Sequence, residues 1–261
     1  MSSPIVEQWR LWVESGLKGP KGFAYIIEHD PIELEARQPG LRANGALRYA
    51  IEIAFAYPDH PLVLAFAKRS YELASWGVQV TKVAHYDSLE DDRYEARRCK
   101  SYAGSMLGLT GLDRQLLRGA AEDLLLYIES GPSEGGWHSG VQSECLEAAT
   151  LFLLAGEIER AKALLSMKRF KQFKPWQQGL MELAVALGSG KQVRVSDVPH
   201  FEELFQQFRP REVPEWMKGY SLVPSHTLRL EFCLLRYLYV THPHEPIVWT
   251  RVFEQIGGDS I

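Results

Sequence analysis

Apolar residues recur every three or four positions along almost the whole chain, which is the spacing of one face of an α-helix. Near the N-terminus, Ile5, Trp9, Trp12 and Val13 form such a stripe. Strand-like alternation is confined to short pieces such as residues 191–195. The pattern predicts an all-α protein, with further helices over 41–57, 59–86, 88–109, 112–130, 144–165 (a pair), 174–190, 199–208, 226–242 and 246–256.

Polar residues before several of these stretches predict where the helices begin. Asp59 is the expected N-cap of the second long helix. Ser88 with Asp91, and Thr110 with Asp113, have the spacing of a capping box, in which two side chains satisfy backbone N–H groups reciprocally. Helix starts that follow short polar turns in this way predict helical hairpins.

The stretch ECLEAATLFLLAGEIERAKALL, residues 144–165, resembles one tetratricopeptide-like unit. Small residues stand where two helices would meet, and they allow a close approach. Two positions depart from the family pattern, since Cys145 replaces its usual Trp and Lys168 its usual Ala. The residues that carry the resemblance are Ala149, Phe152, Gly156, Ala161 and Leu165.

The remaining hairpins share the apolar pattern without the register of that unit. The closest second copy is MLGLTGLDRQLLRGAA, residues 106–121. The predicted fold class is therefore all-α, an irregular α/α hairpin array that is either a tetratricopeptide-like solenoid or a helical bundle. We interpret residues 1–261 as a single all-helical domain, with a soft division near 190–198 between the hairpin array (1–190) and C-terminal helices (199–261).

Composition and charge are those of an ordinary folded protein. Hydrophobic residues make up 46% and charged residues 24%, and the formal net charge is −4. This balance indicates neither nucleic-acid binding nor membrane binding. The charge is unevenly placed, because residues 1–167 carry 17 Lys and Arg against 23 Asp and Glu.

The chain shows no signal-peptide pattern at its start and no apolar run of the roughly 20 residues that cross a bilayer. Cys99, Cys145 and Cys233 lie far apart without CxxC spacing. An odd number of separated cysteines argues against a disulfide framework or a zinc site. We expect buried thiols in a cytoplasmic protein.

Three groups of residues were weighed as sources of chemistry. His242 and His244 have no third ligand at a suitable spacing, so we predict no metal and no cofactor. Ser139 lacks the strand-to-helix context of a nucleophile elbow. The basic and aromatic run over 167–176 is interpreted as a helix end whose Phe residues join the core, rather than as a nucleic-acid surface.

An acidic run and one glycine-rich loop remain as candidate contacts for a protein partner. DSLEDDRYE places more negative charge at one helix start than capping needs, and such a cluster steers a basic partner. Its Glu90–Arg93 and Glu95–Arg98 spacings also suit ordinary surface ion pairs. The loop over 131–140 presents an aromatic ring and an imidazole. The candidate partner-binding residues are Asp87, Glu90, Asp91, Asp92, Glu95, Trp137 and His138.

These features together are similar to the all-helical immunity proteins of bacterial polymorphic-toxin and contact-dependent secretion systems. The likeness rests on irregular hairpins, scattered Trp, the LLAGEIERAKALL turn and the acidic helix start. It implies a cytoplasmic, non-catalytic protein that binds and blocks one cognate toxin or effector. It assigns no functional residue, and it leaves the oligomeric state open.

Two other functions stay open. The first is a tetratricopeptide-like adaptor or regulator that holds a peptide segment in its concave groove. The second is a helical enzyme that uses His138 in the 131–140 loop with carboxylates such as Glu134 and Glu144. An adaptor would bind short linear peptides, whereas an immunity protein needs a folded toxin domain.

Overall fold

The computed structural model describes residues 4–29, 38–80, 89–129, 141–166, 173–193 and 230–241, but not the side chains of residues 4–10, 89–91, 141–143, 231 and 235. Every regular element within these ranges is an α-helix, which confirms the prediction of an all-α array. The helices are α1 (Pro4–Lys18), α2 (Phe23–His29), α3 (Pro39–Ala56), α4 (Pro61–Gly77), α5 (Leu89–Gly111), α6 (Arg114–Glu129), α7 (Val141–Leu154), α8 (Ile158–Leu165), α9 (Pro175–Gly188) and α10 (Leu230–Thr241).

Helices that are adjacent in sequence pack side by side from α3 to α8. In addition, α3 contacts α5 and α7 contacts α9, so alternate helices touch as they do in helical-repeat arrays. The central helix is α5, which packs against α3, α4, α6 and α10. Small buried residues let neighbours approach α5 closely, and they are Ala96, Ser101, Ala103, Gly104 and Ser105.

The start of α4 differs from the prediction. The N-cap is His60, whose Nδ1 accepts a hydrogen bond from the Leu62 backbone N–H at 3.2 Å, and Asp59 lies exposed before it. Pro61 suits the first helical position because it has no N–H to satisfy. Histidine was not anticipated as a cap because its ring nitrogen accepts in this way only in one tautomer.

The start of α6 is also shifted from the predicted capping box. Helix α5 continues through Thr110, whose hydroxyl donates to the Met106 carbonyl at 3.0 Å. Asp113 is the cap instead, and its carboxylate accepts from the N–H groups of Gln115 and Leu116 at 2.9 and 3.1 Å. The hairpin of α5 and α6 was therefore predicted correctly, but with the wrong residue at its turn.

The predicted pair over 144–165 is present as α7 and α8. Gly156 lies in the turn between them with φ of 81°, a conformation that favours glycine. Ala149 and Ala161 are fully buried where the helices meet. The Arg160 guanidinium covers the Phe152 ring, with its carbon 4.3 Å from the ring centroid. The positions that carry the tetratricopeptide-like resemblance thus serve helix packing.

Helix α9 packs on α7 at a point of very close backbone approach. A Cβ atom added to Gly188 would lie 2.2 Å from the Leu153 carbonyl oxygen. On the other side, Arg114 Nη2 donates to the Gly188 carbonyl at 2.8 Å. The Arg114 cation also compensates the negative end of the α9 helix dipole. These two contacts fix the end of α9 against both α7 and the start of α6.

The helices share one core that reaches from α1 to α10. Phe232 of α10 rests on Phe55 of α3, with ring centroids 4.5 Å apart. The three cysteines are buried thiols, as expected. No helix in the described ranges is both long and apolar enough to cross a membrane. The division near 190–198 stays a prediction, because residues 194–229 lie outside the described ranges.

Candidate functional site

The predicted partner-binding residues fall into three groups in the structure. The side chains of Asp92 and Glu95 are described, both on α5. Glu90 and Asp91 lie in the first turn of α5, where only the backbone is described. Outside the described residues lie Asp87, Trp137 and His138, together with Glu134, Ser139, Lys168, His242 and His244.

Asp92 is not a surface residue, and the expectation that it belongs to an exposed acidic edge is wrong. It is 2% exposed, and its carboxylate oxygens each lie 3.1 Å from the Gly40 backbone nitrogen, with Leu41 N–H donating at 3.3 Å. Helix α3 begins after Gln38, which has no side-chain cap, so its first N–H groups need an acceptor from elsewhere. Asp92 supplies that acceptor from α5.

The environment of Asp92 acts on its pKa in both directions. Burial raises the pKa of the carboxyl group, and the N–H groups of Gly40 and Leu41 lower it in part. A Cβ atom on Gly40 would lie 2.2 Å from the Asp92 carbonyl oxygen, so α3 and α5 meet here without space for a side chain. Sequence spacing did not indicate this role because the two residues are 52 positions apart.

Glu95 forms the ion pair that its spacing predicted. Its Oε1 lies 2.6 Å from Arg98 Nη2, and each side chain is 24% exposed. Burial lowers the pKa of the Arg98 guanidinium, but the charge of Glu95, its hydrogen bond to Arg98, and the neighbouring Cys99 and Tyr102 together raise it by more. The Arg93 Nε donates to the Val80 carbonyl at 3.1 Å and fixes the residues that follow α4. The Glu90–Arg93 pair stays a prediction, because the Glu90 side chain lies outside the described residues.

Behind this ion pair, a buried hydrogen bond joins α5 to α7. The Tyr102 hydroxyl donates to Glu147 Oε2 at 2.8 Å, and both residues are buried. Burial raises the pKa of the Tyr102 hydroxyl, and the negative charge of Glu147 raises it further. This hydrogen bond fixes α5 relative to α7. It lies one helical turn after the Glu95–Arg98 ion pair on α5.

Two tyrosines stack nearer the surface at the same end of the hairpin. Tyr94 of α5 and Tyr127 of α6 have ring centroids 4.1 Å apart and an interplanar angle of 26°. Both residues are half-buried. Burial raises the pKa of the Tyr127 hydroxyl, followed by its hydrogen bond to Tyr94 and, more weakly, by the charge of Glu144 at the start of α7.

These side chains define one surface, which we call the α5–α7 end. The start of α5, the end of α6 and the start of α7 meet there, since α5 and α7 run antiparallel to the α6 between them. The acidic start of α5 and the two ends of the 130–140 segment, both predicted as contact regions, therefore belong to the same end of the array. The described members are Tyr94, Glu95, Arg98, Tyr127, Glu129 and Glu144.

The α5–α7 end is negatively charged. Three of its six described members, Glu95, Glu129 and Glu144, are acidic, and Arg98 is the one basic member. Arg93 and Arg98, on the first half of α5, donate to a backbone carbonyl and to a carboxylate. Glu129, the last residue of α6, is exposed. A basic group that approaches this surface meets carboxylates beside an aromatic pair.

Sequence reasoning found the acidic part of this surface and missed its aromatic part. Tyr94, Arg98 and Tyr102 stand four residues apart on α5, which indicates a shared helix face. That spacing was the one sign in the sequence that these three side chains form a common surface. The partners of this stripe, Tyr127 and Glu147, come from two other helices, so only the packing of α6 and α7 on α5 brings them together.

The basic and aromatic run over 167–176 is described only from Phe173 onward. Trp176 is buried at the start of α9, and Lys174 is exposed before it. In the described residues, no three His, Cys, Asp or Glu side chains are grouped as metal ligands would be. No protein-family model matches the chain, and neither a curated protein nor a solved structure matches it.

Proposed function

We propose that this chain is a non-catalytic protein-binding module that contacts a basic protein partner through the α5–α7 end. In its most specific form, the proposal is an immunity protein that binds and neutralises a cognate toxin or effector. The observation that carries the binding surface is the stacked pair of Tyr94 and Tyr127, half-buried and bordered by carboxylates.

The physical case for a binding surface rests on rigidity and residue type. Tyr and Arg are enriched among the residues that dominate binding energy at protein interfaces. Here the tyrosine rings stack on each other, and Arg98 is oriented by Glu95, so little side-chain freedom is lost on association. The hydrogen bond behind them, from Tyr102 to Glu147, holds α5 against α7.

The charge indicates which kind of partner fits. Carboxylates around an aromatic pair attract Lys and Arg, and a guanidinium or ammonium group also binds favourably over a tyrosine ring. A basic protein, such as a nuclease domain that binds nucleic acid, carries such groups on its functional surface. Covering that surface would inhibit the partner without any catalysis by this chain.

The first experiment uses the chain as bait in extracts of its native host. Tyr94→Ala removes one ring of the stacked pair at the α5–α7 end. Tyr25→Ala is the matched control, because Tyr25 is also a tyrosine whose ring stacks on another ring: it lies on His29 of α2, with ring centroids 3.9 Å apart. We expect a basic protein that is captured by wild type and by Tyr25→Ala and is lost with Tyr94→Ala.

The toxin–immunity form of the proposal has its own test. Expression of the captured partner alone should stop growth, and co-expression of this chain should restore growth. A partner without toxicity contradicts the immunity function while leaving the binding surface intact. Micromolar binding to short linear peptides would favour the adaptor function, and activity lost in His138→Ala would favour an enzyme. A toxin gene adjacent in the genome supports immunity, whereas a metabolic operon opposes it.

Charge reversal separates the two acidic residues that were first grouped together. Asp91→Lys changes a residue in the first turn of α5 and should slow association with a basic partner. Asp92→Lys should instead destabilise the fold, because it replaces the buried acceptor at the start of α3. Unchanged association in Asp91→Lys would exclude the start of α5 from the interface.

A further inference from the structure

Helix α9 has an apolar face on the side opposite to the one that it buries. The buried side packs toward α7 and includes Leu180, Leu183 and Leu187. Half a turn around the helix lies a shallow groove of about 420 Å³, in which Val185 is 43% exposed. We call this surface the α9 groove, and its lining residues are Gln178, Met181, Glu182, Val185, Ala186 and Lys191.

The composition of α9 is unusual for a helix with an exposed side. Of its 14 residues, only Glu182 is charged. Helix α8 has eight residues and carries three charges, Glu159, Arg160 and Lys162, all of which are exposed. A helix with so few charged positions is typical of one that is covered on more than one side. The α9 groove therefore has the composition of a contact surface.

Two opposite charges lie at the two ends of the α9 groove. Glu182 lies one helical turn before Ala186. Lys191 follows the helix, and its backbone N–H donates to the Ala186 carbonyl at 3.0 Å, which folds the chain back over the helix end. Both side chains are exposed, and neither forms an ion pair within the described part of the chain. The apolar middle of the groove thus has a carboxylate on one side and an ammonium group on the other.

This arrangement of charges is complementary to itself. If a second copy of the chain lies antiparallel across a two-fold axis near Val185, the Glu182 of each copy faces the Lys191 of the other. Such reciprocal contacts are the defining property of an isologous interface. The apolar residues then lie at the centre and the ion pairs at the rim, as in most protein interfaces. A partner of uniform charge would match only one of the two groups.

We propose that the α9 groove is the contact surface of a homodimer, in which the α9 helices of two copies lie antiparallel. The surface is small beside standard interfaces, which bury about 800 Å² on each partner. The dimer should therefore be weak, with a Kd between about 1 µM and about 1 mM, and its subunits should exchange freely.

Sedimentation equilibrium of the full chain over that concentration range tests the dimer. The mass should rise from that of one chain to that of two chains. Glu182→Lys or Lys191→Glu alone places like charges opposite each other at both ends of the interface, so each should weaken association by about tenfold. An equimolar mixture of these two variants should associate as wild type does, because every introduced charge then faces its opposite. The double variant should also recover association.

Two further variants separate the α9 groove from effects of charge or folding. Glu159→Lys makes the same charge change at an exposed position of α8, and it should associate as wild type does. Val185→Lys places a charge in the apolar middle of the groove and should prevent association. Because Val185 is partly exposed in the single chain, the Tm of dilute Val185→Lys should equal that of dilute wild type.

Several results would overturn the homodimer. One is a wild type that keeps the mass of one chain over the whole concentration range. Another is a mixture of Glu182→Lys and Lys191→Glu that associates no better than either variant alone, which would show that the two charges do not face each other. A lower Tm of dilute Val185→Lys, or its failure to fold, would show that the groove is covered within the chain itself.

Discussion

Two glycines that lie within helices should respond in opposite ways to the same substitution. Gly119 lies in the middle of α6, and a Cβ atom there would meet nothing within 4 Å. Gly188 ends α9, where a Cβ atom would lie 2.2 Å from the Leu153 carbonyl oxygen and 3.1 Å from that of Leu154. Gly→Ala at both positions therefore tests whether α9 packs on α7 as described.

The magnitudes follow from helix propensity and from the space available. Alanine is favoured over glycine in an open helix interior by roughly 0.5–1 kcal/mol, so Gly119→Ala should stabilise the fold by about that amount. Gly188→Ala gains no more than this, but it must displace backbone atoms of α7. Overpacking of this kind costs about 1–3 kcal/mol, so the net effect is destabilising.

Urea unfolding followed by circular dichroism measures both variants. Gly119→Ala should raise the urea midpoint and Gly188→Ala should lower it, with little change in the slope. The corresponding Tm shifts are about 2–4 °C per kcal/mol for a chain of this size. If Gly188→Ala were as stable as Gly119→Ala, the close approach of α9 to α7 would be refuted.

Three further substitutions test individual contacts. Tyr102→Phe leaves the buried Glu147 carboxylate without the 2.8 Å bond from Tyr102, and urea unfolding should show a loss of about 1–3 kcal/mol, whereas Tyr25→Phe on the exposed α2 should change stability by less than about 0.5 kcal/mol. Gly156→Val forces a β-branched residue to a φ of 81°, so it should lose roughly 2 kcal/mol or more while the folded fraction still binds partner; selective loss of binding would contradict a packing role. Because burial raises the pKa of Asp92 in the folded state, the folded protein holds this proton to a higher pH than the unfolded chain, whose pKa is near 3.8. Wild type should therefore gain stability relative to Asp92→Asn as the pH falls through the folded pKa toward 3.8, and a difference in free energy of unfolding that shrinks on acidification would contradict that shift.

The helices themselves were largely readable from the sequence. Apolar spacing and proline or glycine breaks marked α3, α4, α7, α8 and α9, and Gly156 marked one turn. Helix caps were less predictable, because several polar residues near each start compete for the same N–H groups. Asp113 caps α6 because α5 continues through Thr110, and His60 caps α4 because it, rather than Asp59, directly precedes the first helical residue.

The candidate site was predicted only in part, for a physical reason. Charge is visible in the sequence, so the acidic start of α5 was found. Burial depends on which helix packs where, so Asp92 was mistaken for a surface group when it caps α3. The stack of Tyr94 on Tyr127 was missed because the two residues are 33 positions apart on different helices, and such a contact leaves no local pattern in the sequence.

The proposal that the α5–α7 end binds a basic partner is tested most directly by the association rate of the captured partner with two charge-reversal variants. Glu129→Lys changes an exposed residue of the α5–α7 end, and Glu159→Lys changes an exposed residue on α8. Both variants change the net charge equally, so a difference between them reports the position of the charge. We predict a severalfold slower association for Glu129→Lys alone, with the difference reduced at high salt. Equal rates for the two variants would contradict binding at the α5–α7 end.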